Sequence, residues 1–392
     1  MNQVGNELYM NIANSYLINP SNYPIFPRNS IIFPKNGGAV FTNKKRILLN
    51  DALVDLNTGV FTPYKTIFFN YIFMVFKLID FREMYKGTAL PTINSETLKK
   101  ILISVPPLSE QKRIVEEIES IFKRIDEVKS NQEELARLKD GLKNKILDLA
   151  IQGKLVSQDP NDEPASVLLE KIKAEKAELV KQGKIKKDKQ ESYIYKGADN
   201  RHYEKNGSEV RDITDEIPFK IPESWEWCRL GNICQLNPRN VADDNLDVAF
   251  IPMNLISDGF QNKHAYTLRK WCEVKQGFTH FANNDVGVAK ITPCFENRKS
   301  VIFLDLPNRI GAGTTELHII RPYCNIIPEY ILALCKTDYF VINGVKNFTG
   351  TAGQQRINSQ FVRNLMIPLP PIQEQYRIVQ KITKMLEIIN LL

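Results

Sequence analysis

The sequence lacks an apolar run of 18 residues, which is about the length that a membrane-spanning helix needs. It also lacks a G-x-G-x-x-G or Walker-type phosphate loop and an H-E-x-x-H zinc pattern. Its 6 cysteines all lie in the second half, and none forms a C-x-x-C pair. We therefore expect no zinc site, and we expect reduced thiols in a cytoplasmic compartment.

Catalytic patterns are equally scarce. The four histidines, His202, His264, His280 and His318, show no metal-ligand spacing, so each is expected to be a surface or core residue. The Asn/Asp-Pro-Pro-aromatic motif of amino-methyltransferases is absent, because both Pro-Pro pairs are followed by apolar residues. A nucleophilic pair of Cys294 with a histidine stays open as a minor alternative. The sequence therefore favours a binding protein with no catalytic site and no metal.

The positive charge is unevenly distributed. The chain of 392 residues has a formal net charge of +7. Residues 1–105 hold 11 Lys/Arg against 6 Asp/Glu, and residues 221–369 hold 15 against 13. This excess is compatible with a polyanionic partner such as nucleic acid, although many proteins carry as much charge without one.

The same two segments end in an internal repeat at a spacing of 264 positions. Residues 93–118 and 357–382 are identical at 12 of 26 positions without a gap. The spacing is far longer than the roughly 20–50 residues of a solenoid unit. It predicts a whole domain, followed by the start of a helix, that occurs twice with pseudo-two-fold symmetry.

Each copy of the repeat leads into an amphipathic helix. Apolar residues recur with steps of four and three, which is typical of a coiled-coil seam. We therefore expect the two helices to pack against each other, antiparallel; the alternative is two helices lying on their own domains. The predicted seam consists of Ile114, Ile118, Ile121, Ile125 and Val128 in the first helix and Ile378, Ile382, Met385 and Ile389 in the second.

The segment between the domains is a connector. Turn residues at 154–164 precede a short charged helix, predicted at about 165–183. Residues 184–220 are polar and rich in lysine and tyrosine, and we expect an irregular, partly mobile arm. A nucleic-acid contact through its basic and aromatic residues is the less favoured alternative.

The second domain mixes short strands with a helix. Strand-like runs occur at 249–251, 287–289, 300–303 and 317–320, and Pro328 favours a helix over 328–341. The predicted fold class is α+β.

Binding residues are expected in loops that follow strands. Lysine and arginine suit phosphate contacts, asparagine, glutamine and arginine suit base edges, and glycine lets a backbone approach closely. Ordinary turns with surface amides are the alternative for any single residue. In the second copy a loop at 350–356 precedes Ile357. The corresponding loop of the first copy, before Ile93, contains Gly87-Thr88-Ala89-Leu90. The candidates are Lys35, Asn36, Gly37, Lys44, Lys45, Arg46, Lys290, Thr292, Asn297, Arg298, Lys299, Gln354, Gln355 and Arg356.

Five ordered motifs carry a family resemblance. They are IPESWEW at 221–227, KITPC at 290–294, GTTEL at 313–317, PPIQEQYRIV at 370–379, and IQGKLV with DPNDEP between 151 and 164. Together they resemble the specificity subunit of type I restriction–modification systems. The resemblance implies two target-recognition domains, each reading half of a split DNA site, and an antiparallel coiled coil that sets the gap.

The resemblance also implies the partners and the domain limits. Two modification subunits would methylate adenine with S-adenosylmethionine, and restriction subunits would add ATP- and Mg-dependent translocation and cleavage, so this chain would hold no cofactor. By this resemblance the first recognition domain is 1–105, its spacer helix 106–155, the connector and arm 156–220, the second recognition domain 221–369, and its spacer helix 370–392.

Against its own repeat, the chain looks clipped at both ends. A counterpart of the 221–225 motif would lie about 44 residues before Met1, and the second long helix is shorter than the first. A truncated or rearranged specificity polypeptide, which needs a further fragment to read DNA, is therefore the alternative function. A single-chain enzyme is a third hypothesis, disfavoured by the missing signatures.

Overall fold

The computed structural model describes residues 6–13, 16–18, 22–85, 91–186, 192–351 and 353–392. The chain divides into two units, Met1–Glu133 and Glu134–Leu392. Each unit is described by itself below, and one long helix crosses the boundary between them.

A four-stranded sheet and one apolar helix form the core of the first unit. The strands lie in the order β1-β3-β2-β4, with β1 parallel to β3 and the other pairs antiparallel. Phe33 packs its ring against Phe76 and Phe81, at centroid distances of 5.6 and 4.7 Å. The elements are β1 (Tyr9–Met10), β2 (Ile31–Pro34), β3 (Arg46–Leu48), β4 (Thr58–Phe61), α1 (Phe69–Leu78) and α2 (Ser95–Lys99).

Helix α3 (Leu108–Ile151) is the long helix that the first seam predicts. Its 44 residues span about 66 Å at 1.5 Å per residue. Ile114 and Ile118 are half-buried, but Ile121, Ile125 and Val128 are each about half exposed. Burial of this part of the seam is therefore not observed in the single chain, and its pairing with the second helix stays a prediction.

The second unit contains most of the strands. They are β5 (Ser192–Lys196), β6 (His202–Asn206), β7 (Glu209–Asp212), β8 (Glu226–Arg229), β9 (Cys234–Leu236), β10 (Asp247–Ile251), β11 (Thr267–Lys270), β12 (Thr279–Ala282), β13 (Val286–Ala289), β14 (Ser300–Ile302), β15 (Ile310–Gly313), β16 (Leu317–Pro322) and β17 (Met366–Leu369). Its further helices are α4 (Ala165–Lys181), α5 (Leu230–Ile233), α6 (Trp271–Val274), α7 (Pro328–Cys335), α8 (Asp338–Lys346), α9 (Ser359–Asn364) and α10 (Ile372–Leu391).

Two four-stranded sheets, ordered β11-β10-β15-β12 and β14-β13-β16-β9, carry the recognition-type domain, and β17 pairs with β8. The four predicted strand runs fall in β10, β13, β14 and β16. The predicted helix over 328–341 is wrong at its middle, because the helix breaks at Lys336 and Thr337. Thr337 caps the second piece, since its hydroxyl oxygen accepts a hydrogen bond from the backbone N–H of Phe340 at 3.1 Å.

The helix α10 buries its apolar side within the second unit. Ile378, Ile382 and Ile389 are buried, and Met385 packs beside them against the same core. That core also contains residues 146–151 of α3 and the apolar residues of α4. The second seam is therefore part of a packed core.

The prediction of an irregular arm at 184–220 is wrong for residues 192–212. They form an antiparallel sheet, β5-β6-β7, whose last two strands are joined by the two-residue loop Gly207-Ser208, a hairpin signal in the sequence. Ile194 packs with Trp227, and Glu204 accepts hydrogen bonds from both Nε and one terminal nitrogen of Arg229, at 3.0 and 2.7 Å. These contacts attach the sheet to the second domain. Lys187 and Lys189 lie outside the described residues.

Candidate functional site

The lysine that follows the central strand occupies the same backbone position in both domains. Lys35 follows β2 and Lys290 follows β13. The backbone N–H of Lys35 donates to the carbonyl of Asn57 at 2.7 Å, and that of Lys290 donates to the carbonyl of Glu316 at 2.9 Å. In each domain this bond ties the lysine to the residue just before the neighbouring strand, β4 or β16.

The repeated Ile-Asn dipeptide closes the same junction from the other side. The N–H of Ile93 donates to the carbonyl of Lys35 at 2.9 Å, and that of Ile357 donates to Lys290 at 3.0 Å. The preceding residues, Thr92 and Arg356, form matching isolated bridges with Asn36 and Ile291. The loop before Ile-Asn is therefore joined to the lysine-bearing turn in both copies.

In the second domain this junction borders a groove of about 600 Å³. Its lining includes the cations Arg239, Lys290 and Arg356 and the amides of Asn237 and Asn358. No Asp or Glu lines the groove among the described residues. The groove therefore presents positive charge and bidentate hydrogen-bonding groups on one face, a combination suited to an anionic, hydrogen-bonding ligand.

Arg356 is held in place by an acid from the neighbouring strand connection. Its Nε and one terminal nitrogen donate to the two oxygens of Glu316, both at 2.9 Å, and its other terminal nitrogen donates to the carbonyl of Gln354. Beside Arg356, the pKa of Glu316 is lowered. The ion pair offsets much of the charge of Arg356, whereas Lys290 and Arg239 form no ion pair within the described residues.

Two histidines in the groove wall have fixed hydrogen-bond partners. Burial lowers the pKa of both His280 and His318. His280 lies 3.1 Å through Nε2 from the carbonyl of Lys275 and accepts from the N–H of Asn240 through Nδ1. His318 lies 3.0 Å through Nε2 from the carbonyl of Ile357. Both are satisfied wall residues, as the sequence predicts for its histidines.

The turn after Lys290 is only partly exposed. Thr292 donates its backbone N–H to the carbonyl of Gln355 at 3.0 Å, and its buried hydroxyl oxygen has no hydrogen-bond partner in the part of the chain described. Gln355 is half-buried, whereas Gln354 is exposed. Ala352 in this loop, and residues 86–90 of the corresponding loop in the first copy, lie outside the described residues.

Arg298 and Lys299 do not line the groove, and their role as DNA contacts stays a prediction. Arg298 donates to the carbonyl of Lys336, pairs with Asp338 and lies over the ring of Phe260. Lys299 donates through Nζ to the carbonyl of Met253 at 3.1 Å. Both cations instead bind backbone carbonyls and a carboxylate inside the domain. Their neighbour Asn297 is exposed.

Lys45 and Arg46 are likewise engaged inside the first domain. Lys45 donates to the carbonyl of Ile79 at 2.5 Å and lies over the Phe81 ring, and burial lowers its pKa to about 8. Arg46 is buried and donates to the carbonyl of Glu7. Both have partners inside the domain, because Arg46 lies in β3 and Lys45 directly precedes it; the run of three basic residues gave no sign of this.

The other candidates of the first domain are Asn36 and Gly37, which directly follow Lys35, and Lys44. Asn36 donates its side-chain amide to the carbonyl of Leu56 at 3.3 Å, and Lys44 is half-buried. Gly37 has φ 75, in the left-handed region that favours glycine, and its N–H donates to the carbonyl of Pro91. The glycine is therefore required by the turn.

Asn237 and Arg239 line the groove but are not among the residues predicted from the sequence. They follow β9 in an Asn-Pro-Arg turn, and Asn237 adopts φ 48. Its backbone and side chain both bond Ile319, at 2.8 and 3.0 Å. A polar turn after a strand was the available signal, the same one that identified Lys290.

No group of three or more His, Cys, Asp or Glu within the described ranges could hold a metal ion. The described helices also include none with the length and apolar character that a membrane crossing demands. Cys294, the alternative nucleophile, packs against the core around Phe281 and Phe303.

The chain matches a protein family described as the type I restriction modification DNA specificity domain, over residues 2–137 and 222–392. The chain belongs to this family. The two matched stretches each contain one copy of the lysine-bearing junction. Membership confirms the resemblance found in the sequence and the α+β class with a duplicated domain.

Two curated relatives from Escherichia coli are similar to this chain. It is 48% identical over 249 residues to the type I restriction enzyme EcoAI specificity subunit, covering 63% of this chain and 39% of the relative. It is 47% identical over 247 residues to the EcoEI specificity subunit, covering 62% and 39%. The match thus spans about two fifths of each relative's length.

Solved structures support the fold. The HsdS subunit from Thermoanaerobacter tengcongensis aligns with a TM-score of 0.50 at 16% identity, covering 95% of this chain and 78% of that one. A chain from a study of type I R-M complex assembly and conformational transition aligns with a TM-score of 0.52 at 15% identity, covering 93% and 76%. At these identities the likeness shows the fold alone.

Proposed function

We propose that this chain is the DNA-recognition polypeptide of a type I restriction–modification complex, with each repeated domain reading one half of a bipartite site. The observation that carries the proposal is the junction of Lys35 and Lys290, built identically in two domains of a DNA-specificity family. One junction repeated in two domains suits a ligand with two separated half-sites. DNA with a split target has this arrangement.

The groove residues divide into two roles. Lys290 and Arg239 would contact phosphates, since they form no ion pair within the described residues, and Lys35 would do so in the first domain. Gln354 is exposed and Asn358 lines the groove, so both amides are available for base edges, where asparagine and glutamine pair with adenine. Arg356, held by Glu316, would position the loop that carries Gln354.

The partners follow from the family. We propose that two modification subunits dock on α3 and α10, which would set the gap between half-sites, and that restriction subunits join the full complex in the cytoplasm. S-adenosylmethionine, ATP and Mg would bind to those subunits. This chain would have no catalytic role. The relatives' names support a recognition role, and the whole complex is the expectation that experiment has to test.

Methylation sequencing is the direct test. Genomic DNA from cells that co-express this chain with its neighbouring modification subunit would be sequenced by a single-molecule method that detects methyladenine. A split motif, modified in both halves with a fixed gap, is expected. Absence of any modified motif, with both proteins present and folded, would contradict the proposal.

A matched pair of lysine variants tests the groove. Lys290→Ala is expected to reduce methylation at the motif and to make the binding of DNA less salt-dependent, by about 0.9 in the slope of log K against log salt for one lost phosphate contact. Lys263→Ala is the control, an exposed lysine outside the groove lining. Equal salt slopes for the two variants would contradict the assignment of Lys290.

A further inference from the structure

The two long helices begin in the same local structure. The side-chain amide of Gln111 donates to the carbonyl of Pro106 at 2.8 Å, and its oxygen accepts from the N–H of Phe68 at 2.9 Å. Gln375, 264 positions later, donates to Pro370 at 3.0 Å and accepts from Ile327 at 3.2 Å. In both copies the glutamine therefore joins the start of the long helix to the N-terminus of an earlier helix, α1 or α7.

A tyrosine reinforces this equivalence. The hydroxyl of Tyr71 donates to the carbonyl of Ser104 at 3.0 Å, and that of Tyr330 donates to Pro368 at 2.8 Å. Ser104 and Pro368 are again 264 positions apart. The backbone just before each long helix is thus held in the same way, so the surroundings of the two copies can be compared residue by residue.

In the second copy this region is covered by other parts of the chain. The strand β17 pairs antiparallel with β8, and Leu369 is fully buried. Glu374 is buried too, and its carboxylate accepts from the indole N–H of Trp225 at 2.8 Å and from the amide of Gln158. Arg377 pairs with Asp162. The strand β8, the indole of Trp225 and polar residues of the connector therefore cover the start of α10 and the strand before it.

In the first copy the corresponding residues are uncovered. Leu102 is 98% exposed and Val105 is 54% exposed, whereas their counterparts Met366 and Leu369 are buried. Residues 101–107 form no strand pairing within the described ranges. Glu110 and Arg113, the counterparts of Glu374 and Arg377, are exposed, and neither side chain has a hydrogen-bond or ion-pair partner in the part of the chain that the structure describes.

We propose that residues 102–113 are a docking site for a polypeptide segment that adds a strand beside 102–105 and places a tryptophan indole on Glu110. The filled copy defines the occupant: an extended segment resembling residues 225–229, which begins with tryptophan and supplies β8, accompanied by a carboxylate for Arg113. Strand addition satisfies the open backbone groups, and burial of Leu102 and Val105 drives it. The site does not depend on DNA recognition.

The intact chain can test this site with a segment of its own sequence. A second copy of residues 153–229 would be fused ahead of Met1 through a flexible Gly/Ser linker, which raises the effective concentration to about the millimolar range. Hydrogen exchange would be measured by mass spectrometry at the amides of 102–105. We expect exchange there to slow by about tenfold or more relative to the unfused chain, since hydrogen bonds to charged groups and strand pairing each contribute on that scale.

Variants separate docking from other causes of protection. In the fusion, Glu110→Ala combined with Arg113→Ala should restore fast exchange, whereas Glu119→Ala, an exposed glutamate further along α3, should not. A charge swap, Arg113→Asp with arginine in place of the fused segment's counterpart of Asp162, should recover protection that either change alone removes. A synthetic peptide of residues 219–230, added to the unfused chain, should protect the same amides.

Three results would overturn the proposal. The first is unchanged exchange at 102–105 in a fusion whose circular dichroism shows a folded protein. The second is protection that persists in the double variant. The third is a dimer of the unfused chain, detected by light scattering and abolished by Arg113→Ala, because a second copy would then fill the site in place of a separate segment.

Discussion

Trp225→Phe is expected to destabilise the second unit mainly through one hydrogen bond. The indole N–H of Trp225 donates to the buried carboxylate of Glu374 at 2.8 Å, and phenylalanine keeps an aromatic ring but removes this donor. A hydrogen bond to a charged group contributes about 1.5–3 kcal/mol, and the smaller ring adds a packing loss. We therefore expect the free energy of unfolding to fall by about 3 kcal/mol near pH 7, read from denaturant titration.

The control is Trp227→Phe. Trp227 is buried to the same extent, packs beside Phe219, and has no hydrogen bond to a carboxylate in the described structure. Its substitution removes the same atoms and costs only the packing loss. The difference between the two variants should therefore be about 1.5–3 kcal/mol. Equal losses for both tryptophans would refute the assignment of the Trp225–Glu374 bond.

The pH dependence gives the prediction a sign. Burial raises the pKa of Glu374, and the indole counteracts part of that rise. Without the indole the folded-state pKa rises further, so the folded protein binds its proton more tightly than the unfolded protein does. Stability then falls as pH increases from the unfolded pKa of 4.5 through the raised folded pKa. The cost of Trp225→Phe should therefore be larger at pH 7 than at pH 4.5, and the reverse order would refute it.

Two further predictions concern a buried amine and the helix seams. The Lys336 side chain donates to the carbonyls of Gly259 and Arg298, and burial lowers its pKa from 10.5 to about 7. Between pH 7 and 10.5 the unfolded state therefore binds more protons than the folded state. The free energy of unfolding should rise with pH over this range. Lys336→Met should reduce that rise in denaturant titrations at several pH values, and a rise as steep as in the wild type would count against this reading. Ile121→Asp should cost less than about 1 kcal/mol in the isolated chain because the residue is half exposed, whereas Ile382→Asp should cost over 3 kcal/mol because it buries a charge. Comparable melting temperatures for these two variants would contradict the burial difference.

The sequence predicts the elements whose signals are local. The runs at 287–289 and 317–320 become β13 and β16, and the repeat places the Ile-Asn pairs 93–94 and 357–358 at equivalent positions, where Ile93 and Ile357 bond Lys35 and Lys290 in the same way. An alternating strand pattern and an ungapped repeat can both be recognised from the local sequence, without knowledge of tertiary contacts. The same holds for α3, whose seven-residue pattern predicts a long helix.

Tertiary contacts decide what the sequence could not show. Basic residues in a run look alike, yet Lys45, just before β3, and Arg298, in the turn after β13, donate to carbonyls inside their own domains. The sheet at 192–212 was missed for a different reason. Its composition resembles that of a linker, while the information lies in the Gly207-Ser208 loop and in Ile194, whose burial depends on contact with Trp227.

The two domains share the backbone bonds around the lysine but differ in the residues that make them. This difference bears on the proposed reading of a split site. The carbonyl that accepts from Lys290 belongs to Glu316, and the one that accepts from Lys35 belongs to Asn57. At the bridging position, Arg356 of the second domain is replaced by Thr92 in the first. The second domain thus surrounds its lysine with an ion pair that fixes a loop, while the first offers a short amide and a hydroxyl. Because base readout depends on the donors and acceptors presented, such surroundings should select different half-sites, and an asymmetric target is the result to expect from methylation sequencing.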